Sequence, residues 1–410
     1  MADAAPLALD PFAPGFFDDP YAQYARLREH APVHRGPGGL IAYTYDVCFS
    51  VLRAPNTSVD EANSNTPVPG PPVELPPERR ERGRHSILNL DPPDHTRLRR
   101  LVSAAFTVRR VERLRDRVRQ LAGELLDDLV ARQRETGEPV DLVSGFAFPL
   151  PFQVITDMLG MPPGDRDELR AWSHEITRFL EPLTTPEEVK GALVAGDHME
   201  AYLRDAIEWK RRNMADDLLS ALIAAEEDGD RLSPDELVDQ VRLFYIAGHE
   251  TTVNLIGNGT LALLNHRDQL ERLVADPSLD ANAVDELLRY DSPVQMSRRI
   301  ALDELPVGDE VAGPGDLVLT VLGSANRDPA KWGPDADDLD IGRPGASAHL
   351  SFGSGIHHCL GAALARLEGA EAIPALVRRF PRLELAGDGP RRNGRLILRG
   401  LDALPVTLAA

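Results

Sequence analysis

The segment that follows Ser233 is the longest stretch of this sequence that can form one uninterrupted helix. Ser233 suits the N-cap, Pro234 suits the first turn, and Glu236 can close a capping box with the serine. No further proline occurs before Pro277, so the helix is predicted to run to about Asn265, roughly 48 Å at 1.5 Å per residue. A helix of that length crosses an entire domain, and we expect the rest of the chain to pack around it.

The composition is typical of a globular protein without disulfide bonds. The chain has 410 residues, 42% of them hydrophobic, which is enough for one large domain or for two to three small ones. Only two cysteines occur, Cys48 and Cys359, which argues against a disulfide framework and fits a reducing cytosol. The N-terminus lacks a basic start followed by an apolar run, and no apolar run is long enough to cross a bilayer. A soluble, cytoplasmic protein with no membrane partner is therefore predicted.

The charge of the chain is strongly negative but unevenly distributed. The formal net charge of −20 argues against nucleic acid as a partner. Nine arginines nevertheless lie between Arg97 and Arg119, against only two acidic residues, Glu112 and Asp116. A basic helix in this position is either a solvated surface or a docking site for an acidic partner.

A glycine-rich loop near the C-terminal end presents one of the two cysteines. Residues 352–361 read FGSGIHHCLG, and Gly353 and Gly355 indicate a tight loop with exposed backbone. Apolar residues recur at helical spacing from Leu360 to Phe380, so Cys359 is predicted at the N-terminus of a helix. The helix dipole and the unpaired N–H groups there favour a thiolate, which is a good ligand for a soft metal centre.

The residues of this loop by themselves allow two other interpretations. A free cysteine at a helix start is commonly a small, buried and inert residue. A zinc site of His357, His358 and Cys359 is the second alternative, although three adjacent residues do not easily converge on one tetrahedral ion. Covalent attachment of a c-type haem is excluded, because the sequence has no C-x-x-C-H motif.

Two further groups of residues have spacings that suggest a binding site. His95 and Arg99 lie four residues apart and project from one helix face, where paired cationic donors can hold a carboxylate. Within the long helix, Leu243, Ala247 and Thr251 form one stripe. The small residues of that stripe leave room for a flat cofactor and a diatomic ligand.

Taken together, these motifs resemble those of the cytochrome P450 family. The loop matches that family's haem-binding signature F-G-x-G-x-H-x-C-x-G, and residues 247–252, AGHETT, match its A-G-x-[DE]-T-[TS] motif in the long helix. The resemblance covers nearly the whole chain and implies a mainly α (α+β) fold, the cytochrome P450 fold, as a single haem domain over residues 1–410. It implies a helical domain with a small β-rich side, and haem b (iron protoporphyrin IX) between the long central helix and the helix after Cys359.

The resemblance also implies roles for individual residues. Cys359 would bind the iron, Thr251 would donate a hydrogen bond to dioxygen or hydroperoxide at the haem, and Glu250 would serve proton delivery in place of the more usual aspartate. The implied haem-binding residues are Cys359, His95, Arg99, Arg299, His357, Phe352 and Gly353, of which His95, Arg99, Arg299 and His357 would anchor the propionates. The implied substrate pocket contains Leu243, Ala247, Val294 and Gln295.

Other matches to the family concern architecture and substrate access. Glu286 and Arg289 form its E-x-x-R pair, and Arg343 is the expected third member of a buried triad that holds the thiolate loop. The proline-rich segment 56–84 is interpreted as the loop over the substrate pocket. By the same resemblance, helices within 169–183 and 187–213 would be the mobile elements that cap the pocket.

The reaction implied by the resemblance is that of a monooxygenase. It would insert one oxygen atom from O2 into an apolar small-molecule substrate of secondary metabolism, by hydroxylation or epoxidation. Electrons would come from NAD(P)H through a ferredoxin reductase and a ferredoxin, with the arginine-rich region as the site for that acidic partner. Two alternatives remain: a haem-thiolate enzyme of oxidative coupling or peroxide-driven oxidation, and a non-catalytic haem protein for binding or sensing.

Overall fold

The computed structural model describes residues 8–36, 38–66, 83–162, 166–227 and 231–409. Most of these residues are helical, and the strands are short, as the mainly α prediction requires. Most of the segment expected to cover the substrate pocket, including its prolines from Pro67 to Pro77, lies outside the described residues. Among the described helices, none combines the length and the apolar composition needed to span a membrane.

The helices account for most of the architecture. In chain order they are α1 (Tyr21–His30), α2 (Tyr45–Arg53), α3 (Asp94–Ala105), α4 (Val108–Glu112), α5 (Arg115–Thr136), α6 (Pro149–Leu159), α7 (Arg166–Ile176), α8 (Pro186–Arg212), α9 (Leu218–Glu227), α10 (Pro234–Asn265), α11 (Arg267–Ala275), α12 (Asp280–Tyr290), α13 (Leu322–Ala325), α14 (Pro329–Trp332) and α15 (Ala362–Arg379). The main hydrophobic cluster surrounds α10 and includes side chains of α3, α5, α6, α8, α12 and α15. The long helix is therefore the centre of the helical body.

The strands form small sheets. They are β1 (Val33–Gly36), β2 (Gly39–Ala42), β3 (Thr57–Ser58), β4 (Val140–Asp141), β5 (Met296–Ala301), β6 (Leu305–Val307), β7 (Glu310–Ala312), β8 (Leu317–Val321), β9 (Glu384–Leu385), β10 (Arg391–Arg392), β11 (Leu401–Ala403) and β12 (Pro405–Thr407). The largest sheet has the order β1-β2-β8-β5-β3, in which only the β2–β8 pair is parallel. A second hydrophobic cluster joins this sheet to α2.

The long helix α10 begins and ends where the sequence predicts. The Ser233 hydroxyl accepts a hydrogen bond from the Glu236 N–H at 3.2 Å, and the Glu236 carboxylate accepts one from the Ser233 N–H at 2.7 Å. Both halves of the capping box are thus present, and the helix ends at Asn265.

The arginine-rich region is divided among three helices, α3, α4 and α5. The chain leaves the helical conformation at Phe106, whose side chain is buried in the core. Thr107 then starts α4 by accepting a hydrogen bond from the Arg110 N–H. Six of the nine arginines form ion pairs with acidic side chains: Arg97, Arg110, Arg113, Arg115, Arg117 and Arg119. Much of the local positive charge is therefore neutralised within the protein.

The predicted buried triad is confirmed. The guanidinium of Arg289 donates two hydrogen bonds to the Glu286 carboxylate, at 2.7 and 2.8 Å, and Arg343 donates a third at 3.1 Å. Arg289 also donates to the main-chain carbonyls of Asn326, Ala336 and Asp338. The triad thereby ties α12 to the irregular segment that precedes the cysteine loop.

Candidate active site

Cys359 lies at the end of a tight loop that leads into α15. Its N–H donates to the Phe352 carbonyl at 2.9 Å, which closes the loop. Gly355 has a φ of 72°, and a Cβ there would lie 2.4 Å from the carbonyl oxygen of Leu52 at the end of α2. Only glycine permits both this conformation and this close approach. Gly361 is the N-cap of α15, so Cys359 sits just before the helix, as the sequence predicts.

The thiol of Cys359 experiences opposing influences. Burial raises its pKa, while the N–H groups of Gly361 and Ala362 and the cations Arg99 and Arg366 lower it. The helix-terminal stabilisation of a thiolate is therefore present, but burial outweighs it in the protein alone. The residue is nevertheless exposed in the protein alone. A cationic metal bound to the sulfur would lower the pKa of the thiol and so favour the thiolate.

One stripe of the long helix α10 is accessible, like the cysteine. From Glu236 to Leu264 every residue of α10 is buried apart from a short group, which comprises Leu243, Ile246, Ala247, Gly248 and Thr251. These residues recur at helical spacing, and Ala247 is exposed although protein surrounds the rest of the helix. Because α10 packs directly on α15, the accessible stripe and the accessible sulfur have the properties expected of a chamber between the two elements.

Four cationic or potentially cationic side chains gather beside the cysteine loop. His95 is only 2% exposed, and neither of its ring nitrogens has a hydrogen-bond partner among the described residues. The rings of His95 and His357 lie 4.3 Å apart between centroids, and Arg99 donates to the His358 carbonyl at 2.7 Å. Arg299 is 6% exposed and has no carboxylate within 4 Å in the described part of the chain. The adjacent Arg298 is partly exposed and pairs with Glu61, so Arg299 is the buried one of these two neighbours.

The electrostatics of this group indicate a site for an anion. Burial and the charges of Arg299, His95 and Arg99 lower the pKa of His357 to about 3. Burial also lowers the pKa of Arg299 to about 10, opposed by Asp91. That aspartate already accepts hydrogen bonds from Ser58 and Val59. Buried donors without acceptors are costly, so carboxylates of a bound group would satisfy them, and the propionates of haem fit this requirement.

Glu250 lies in a polar network that the sequence did not reveal. Its carboxylate is 3.4 Å from Arg395 Nη1, 3.5 Å from His174 Nδ1 and 3.8 Å from His249 Nε2. Burial acts to raise the pKa of Glu250, but the hydrogen bond from His174 and the charges of the two histidines and Arg395 hold it below its usual value. Glu250 is thus an ionised, enclosed carboxylate next to the accessible stripe.

Thr251 lies on the stripe itself. Its hydroxyl donates to the Ala247 carbonyl at 3.2 Å, the usual bond of a helical threonine to the preceding turn. The hydroxyl oxygen still has lone pairs that can accept a hydrogen bond from a molecule in the chamber.

The four predicted pocket residues do not all face the chamber. Leu243 and Ala247 lie on the accessible stripe, and Val294 is half-buried and bridges to Leu398. Gln295 is buried elsewhere, because its side-chain amide donates to the Ser292 carbonyl at 2.8 Å and to the Tyr21 hydroxyl at 3.2 Å. Neighbouring residues of an extended segment point to opposite sides, so Val294 alone remains a candidate of the two.

The remaining residues of the loop are placed as follows. Phe352 is half-buried, with the Arg366 guanidinium 4.6 Å from its ring centroid. Nothing lies within 4 Å of the position that a Gly353 side chain would take, which leaves room for a flat group beside the backbone. For the zinc alternative, the described ranges contain no group of three His, Cys, Asp or Glu side chains that could hold a metal ion.

Asn326 supports the loop and was not identified from the sequence as a functional position. Its amide donates to the hydroxyls of Ser292 and Ser351, at 2.7 and 2.9 Å, and its carbonyl oxygen accepts from the Leu350 N–H at 2.7 Å. It therefore links the end of α12 to the start of the cysteine loop.

Comparisons with known proteins agree with this geometry. The family model for Cytochrome P450 matches residues 71–276 and 277–397. Cytochrome P450 107B1 of Saccharopolyspora erythraea is 44% identical over 408 residues, 95% of this chain and 96% of that protein. The 6-deoxyerythronolide B hydroxylase of the same organism is 41% identical over 408 residues, 96% of this chain and 97% of that protein. The solved structure of the bacillaene polyketide synthase cytochrome P450 PksS of Bacillus subtilis has a TM-score of 0.86 and 37% identity, and covers 98% of this chain and 100% of that one.

These matches extend over both halves of the chain and include the cysteine loop and the long helix. They identify the cofactor as haem with a cysteine thiolate ligand, which agrees with the fit of the cationic group to propionates. The chain belongs to the cytochrome P450 family, and it is a cytochrome P450 monooxygenase.

Proposed function

We propose that this enzyme inserts one oxygen atom of O2 into an apolar molecule of the polyketide type, by hydroxylation or epoxidation. The other oxygen atom leaves as water, which requires two electrons and two protons per turnover. The observation that carries the proposal is the accessible stripe of Leu243, Ala247 and Thr251 beside the ionised Glu250. The substrate class is supported by the relatives, one of which is named for 6-deoxyerythronolide B and another for a polyketide synthase.

Haem bound through Cys359 supplies the oxidation, and its thiolate ligand favours O–O cleavage. The protein's part is to bind and orient the cofactor. His95, Arg99, Arg299 and His357 would hold the two propionates by charge-assisted hydrogen bonds, which would satisfy the unpartnered ring of His95. Such anchoring would orient the bound cofactor beside α10.

Glu250 and Thr251 would manage protons at the chamber. Glu250 is ionised and contacts His174, whose side chain is partly exposed at the outer end of the network. A proton can pass from solvent to His174, then to the Glu250 carboxylate, and from there through water to the chamber. Thr251 lies on the accessible stripe, and its hydroxyl would position the oxygen atom that receives this proton.

The role of Arg395 can be tested through the pH dependence of turnover. Replacing Arg395 with leucine removes one of the cations that lower the pKa of Glu250, so burial will raise that pKa. Ionised Glu250 is present only above its pKa, and we therefore expect the acid limb of the kcat profile to move to higher pH. Arg395→Lys should shift the acid limb less than Arg395→Leu does, because lysine keeps the positive charge. An acid limb that Arg395→Leu leaves in place would contradict this role.

The reaction itself can be tested with isotopic oxygen. Haem-loaded enzyme, ferredoxin, its reductase and NAD(P)H would be supplied with a panel of macrolactones under ¹⁸O2, and the products analysed by mass spectrometry. Oxygen insertion predicts one labelled atom in the product. A coupled or desaturated product without label, or turnover with peroxide alone that a Thr251→Ala variant retains in full, would instead support oxidative coupling or peroxide-driven oxidation.

We infer that ferredoxin docks at α4 and not along the whole arginine-rich region. The helix α4 packs on α15, the helix that follows Cys359. Val108 is 74% exposed there, and Arg109 forms no ion pair within the described residues. These residues line a depression together with Glu112 and Arg113. An apolar contact beside an unpaired cation suits a small acidic protein, whose approach to the rest of this acidic chain would be repelled.

Reversal of the charge at Arg109 should weaken this interaction. We expect Arg109→Glu to raise the ferredoxin concentration at half-maximal turnover about tenfold, on the order of 1.4 kcal/mol, and to reduce its dependence on salt. Arg391→Glu is the control for the charge change alone, because Arg391 is an exposed arginine on the distant strand β10, where Asp402 lies 3.7 Å away. Stopped-flow reduction kinetics would measure both variants. Equal effects at the two positions would mean that only net charge matters.

A further inference from the structure

Glu181 is a buried acidic residue whose carboxylate holds the main chain of a distant segment. It follows the short helical turn Thr177–Leu180 after α7 and is only 5% exposed. The carboxylate accepts hydrogen bonds from three successive N–H groups, those of Leu396 at 2.8 Å, Ile397 at 3.0 Å and Leu398 at 2.9 Å. Hydrogen bonds to a charged acceptor are among the strongest in proteins, so Glu181 is a firm anchor for this part of the C-terminal segment.

The same region of the chain also holds the side chain that precedes these three residues. Arg395 Nη1 donates to the Thr177 hydroxyl at 2.6 Å, and Arg395 Nη2 lies 3.2 Å from His174 Nε2 and 3.4 Å from the His174 carbonyl oxygen. The remaining partner of the guanidinium is Glu250 of α10, at 3.4 Å. Within the described chain, the anchor stretch, residues 174–181, thus supplies every hydrogen-bond partner of this guanidinium except Glu250.

The other end of the C-terminal segment is attached to different elements. Arg399 donates to Asp291, just after α12, at 2.7 Å. It also donates to two main-chain carbonyls of the N-terminal segment, at 2.6 and 2.8 Å. One end of the segment is therefore held by the body of the protein, whereas the position of Arg395 depends on the anchor stretch.

Three groups from three different elements act on the carboxylate that Arg395 approaches. They are His174 of α7, His249 of α10 and Arg395 itself, and together they hold the pKa of Glu250 below its usual value against burial, which raises it. Displacement of the guanidinium would leave the two histidines. Burial would then be opposed less strongly, and the pKa of Glu250 would rise.

We propose that Glu181 is a positioning residue for Glu250, because its bonds to the main chain hold the Arg395 guanidinium beside that carboxylate. An arginine side chain has many conformations, and a fixed backbone at its base removes part of that freedom. Glu181 acts through Arg395 and is not itself a catalytic residue. The use of this arrangement in turnover rests on the proposed proton path through Glu250, but the hydrogen bonds of Glu181 do not.

Amide hydrogen exchange of the haem-loaded enzyme tests the anchor without any substrate. Glu181→Gln keeps the size of the side chain but replaces one acceptor oxygen with an amide donor. We expect the N–H groups of residues 396–398 to exchange about tenfold faster in this variant. Glu175→Gln is the matched control, because Glu175 lies in α7 and its partly exposed carboxylate pairs with Arg178. Equal exchange in the wild type and in Glu181→Gln would overturn the proposal, whatever the enzyme oxidises.

The pH dependence of turnover tests the positioning role. We expect Glu181→Gln to move the acid limb of the kcat profile to higher pH, as Arg395→Leu should, because in both variants the guanidinium no longer lowers the pKa of Glu250. In an Arg395→Leu background, Glu181→Gln should add no further shift, since the group that it positions is already gone. Additive shifts, or an acid limb that Glu181→Gln leaves in place, would contradict the role.

Thr177→Val tests the same arrangement from a second position and remains informative should Glu181→Gln fail to bind haem. Valine has the shape of threonine but offers no acceptor to Arg395 Nη1. We expect the acid limb to move to higher pH while exchange at residues 396–398 stays slow, because Glu181 is intact. An unmoved acid limb would count against positioning of Arg395 by the anchor stretch. Failure of the wild type to oxygenate any substrate would refute the proposed function, while the exchange result would still decide whether Glu181 is an anchor.

Discussion

Replacement of Cys359 with serine is expected to abolish the strongly red-shifted Soret band of the reduced carbon monoxide complex and to lower turnover to the uncatalysed background. Serine cannot supply a thiolate, and the electron density that favours O–O cleavage would be lost with it. Cys359 is exposed and lies just before α15, the helix that packs on α10. The measurement is an absorption spectrum of the purified protein after reduction and addition of carbon monoxide.

The second cysteine provides the control for this experiment. Cys48 is buried in α2, where its thiol contacts the Ala42 carbonyl at 3.4 Å, and it has no place in the candidate site. Cys48→Ala should keep the red-shifted band and lose only some stability from the reduced packing. A red-shifted band that persists in Cys359→Ser, or that disappears in Cys48→Ala alone, would contradict the assignment of Cys359 as the iron ligand.

The second large effect is expected from Arg289 in the buried triad. Arg289→Ala would remove two of the hydrogen bonds to the Glu286 carboxylate, which keeps that of Arg343, and would take away the Arg289 donor from the main-chain carbonyls of Asn326 and Ala336. Removal of one partner of a buried ion pair costs about 3–5 kcal/mol, a large part of the 5–15 kcal/mol that stabilises a typical domain. We expect that loss in the free energy of unfolding, measured by denaturant titration, together with weaker retention of haem.

A surface ion pair serves as the comparison for the triad. Arg298, adjacent to the buried Arg299, pairs with the exposed Glu61. Exposed pairs contribute about 0–1 kcal/mol, so Arg298→Ala should change stability little and should leave haem retention unaltered. If Arg289→Ala and Arg298→Ala destabilised the protein equally, the triad would not be the support of the cysteine loop.

Several features of this enzyme were predictable because the signals that determine them are local. The cap of α10 depends on residues three positions apart, and the cysteine loop depends on glycines next to the cysteine that it presents. Glu286 and Arg289 lie one turn apart on one helix. Short-range hydrogen bonds and backbone conformation decide such elements, so the sequence alone specifies them.

Other predictions failed where packing overrides composition. The arginine-rich region reads as an unpaired basic surface, but its arginines pair with acids on distant elements, such as Asp216 and Glu371. The choice between Val294 and Gln295 likewise depended on which side of an extended segment meets the core. Periodicity indicates that one side is buried without indicating which partner covers it.

The sequence by itself therefore determined the long helix, the cysteine loop, and the pair of Glu286 and Arg289. Only the tertiary structure decided the electrostatic character of the site. The cations His174 and Arg395 beside Glu250 come from α7 and from the C-terminal segment, which are far from Glu250 along the chain. Whether a buried carboxyl is ionised depends on the charges and the burial that residues far away along the chain contribute, and a local sequence pattern does not indicate which residues these are.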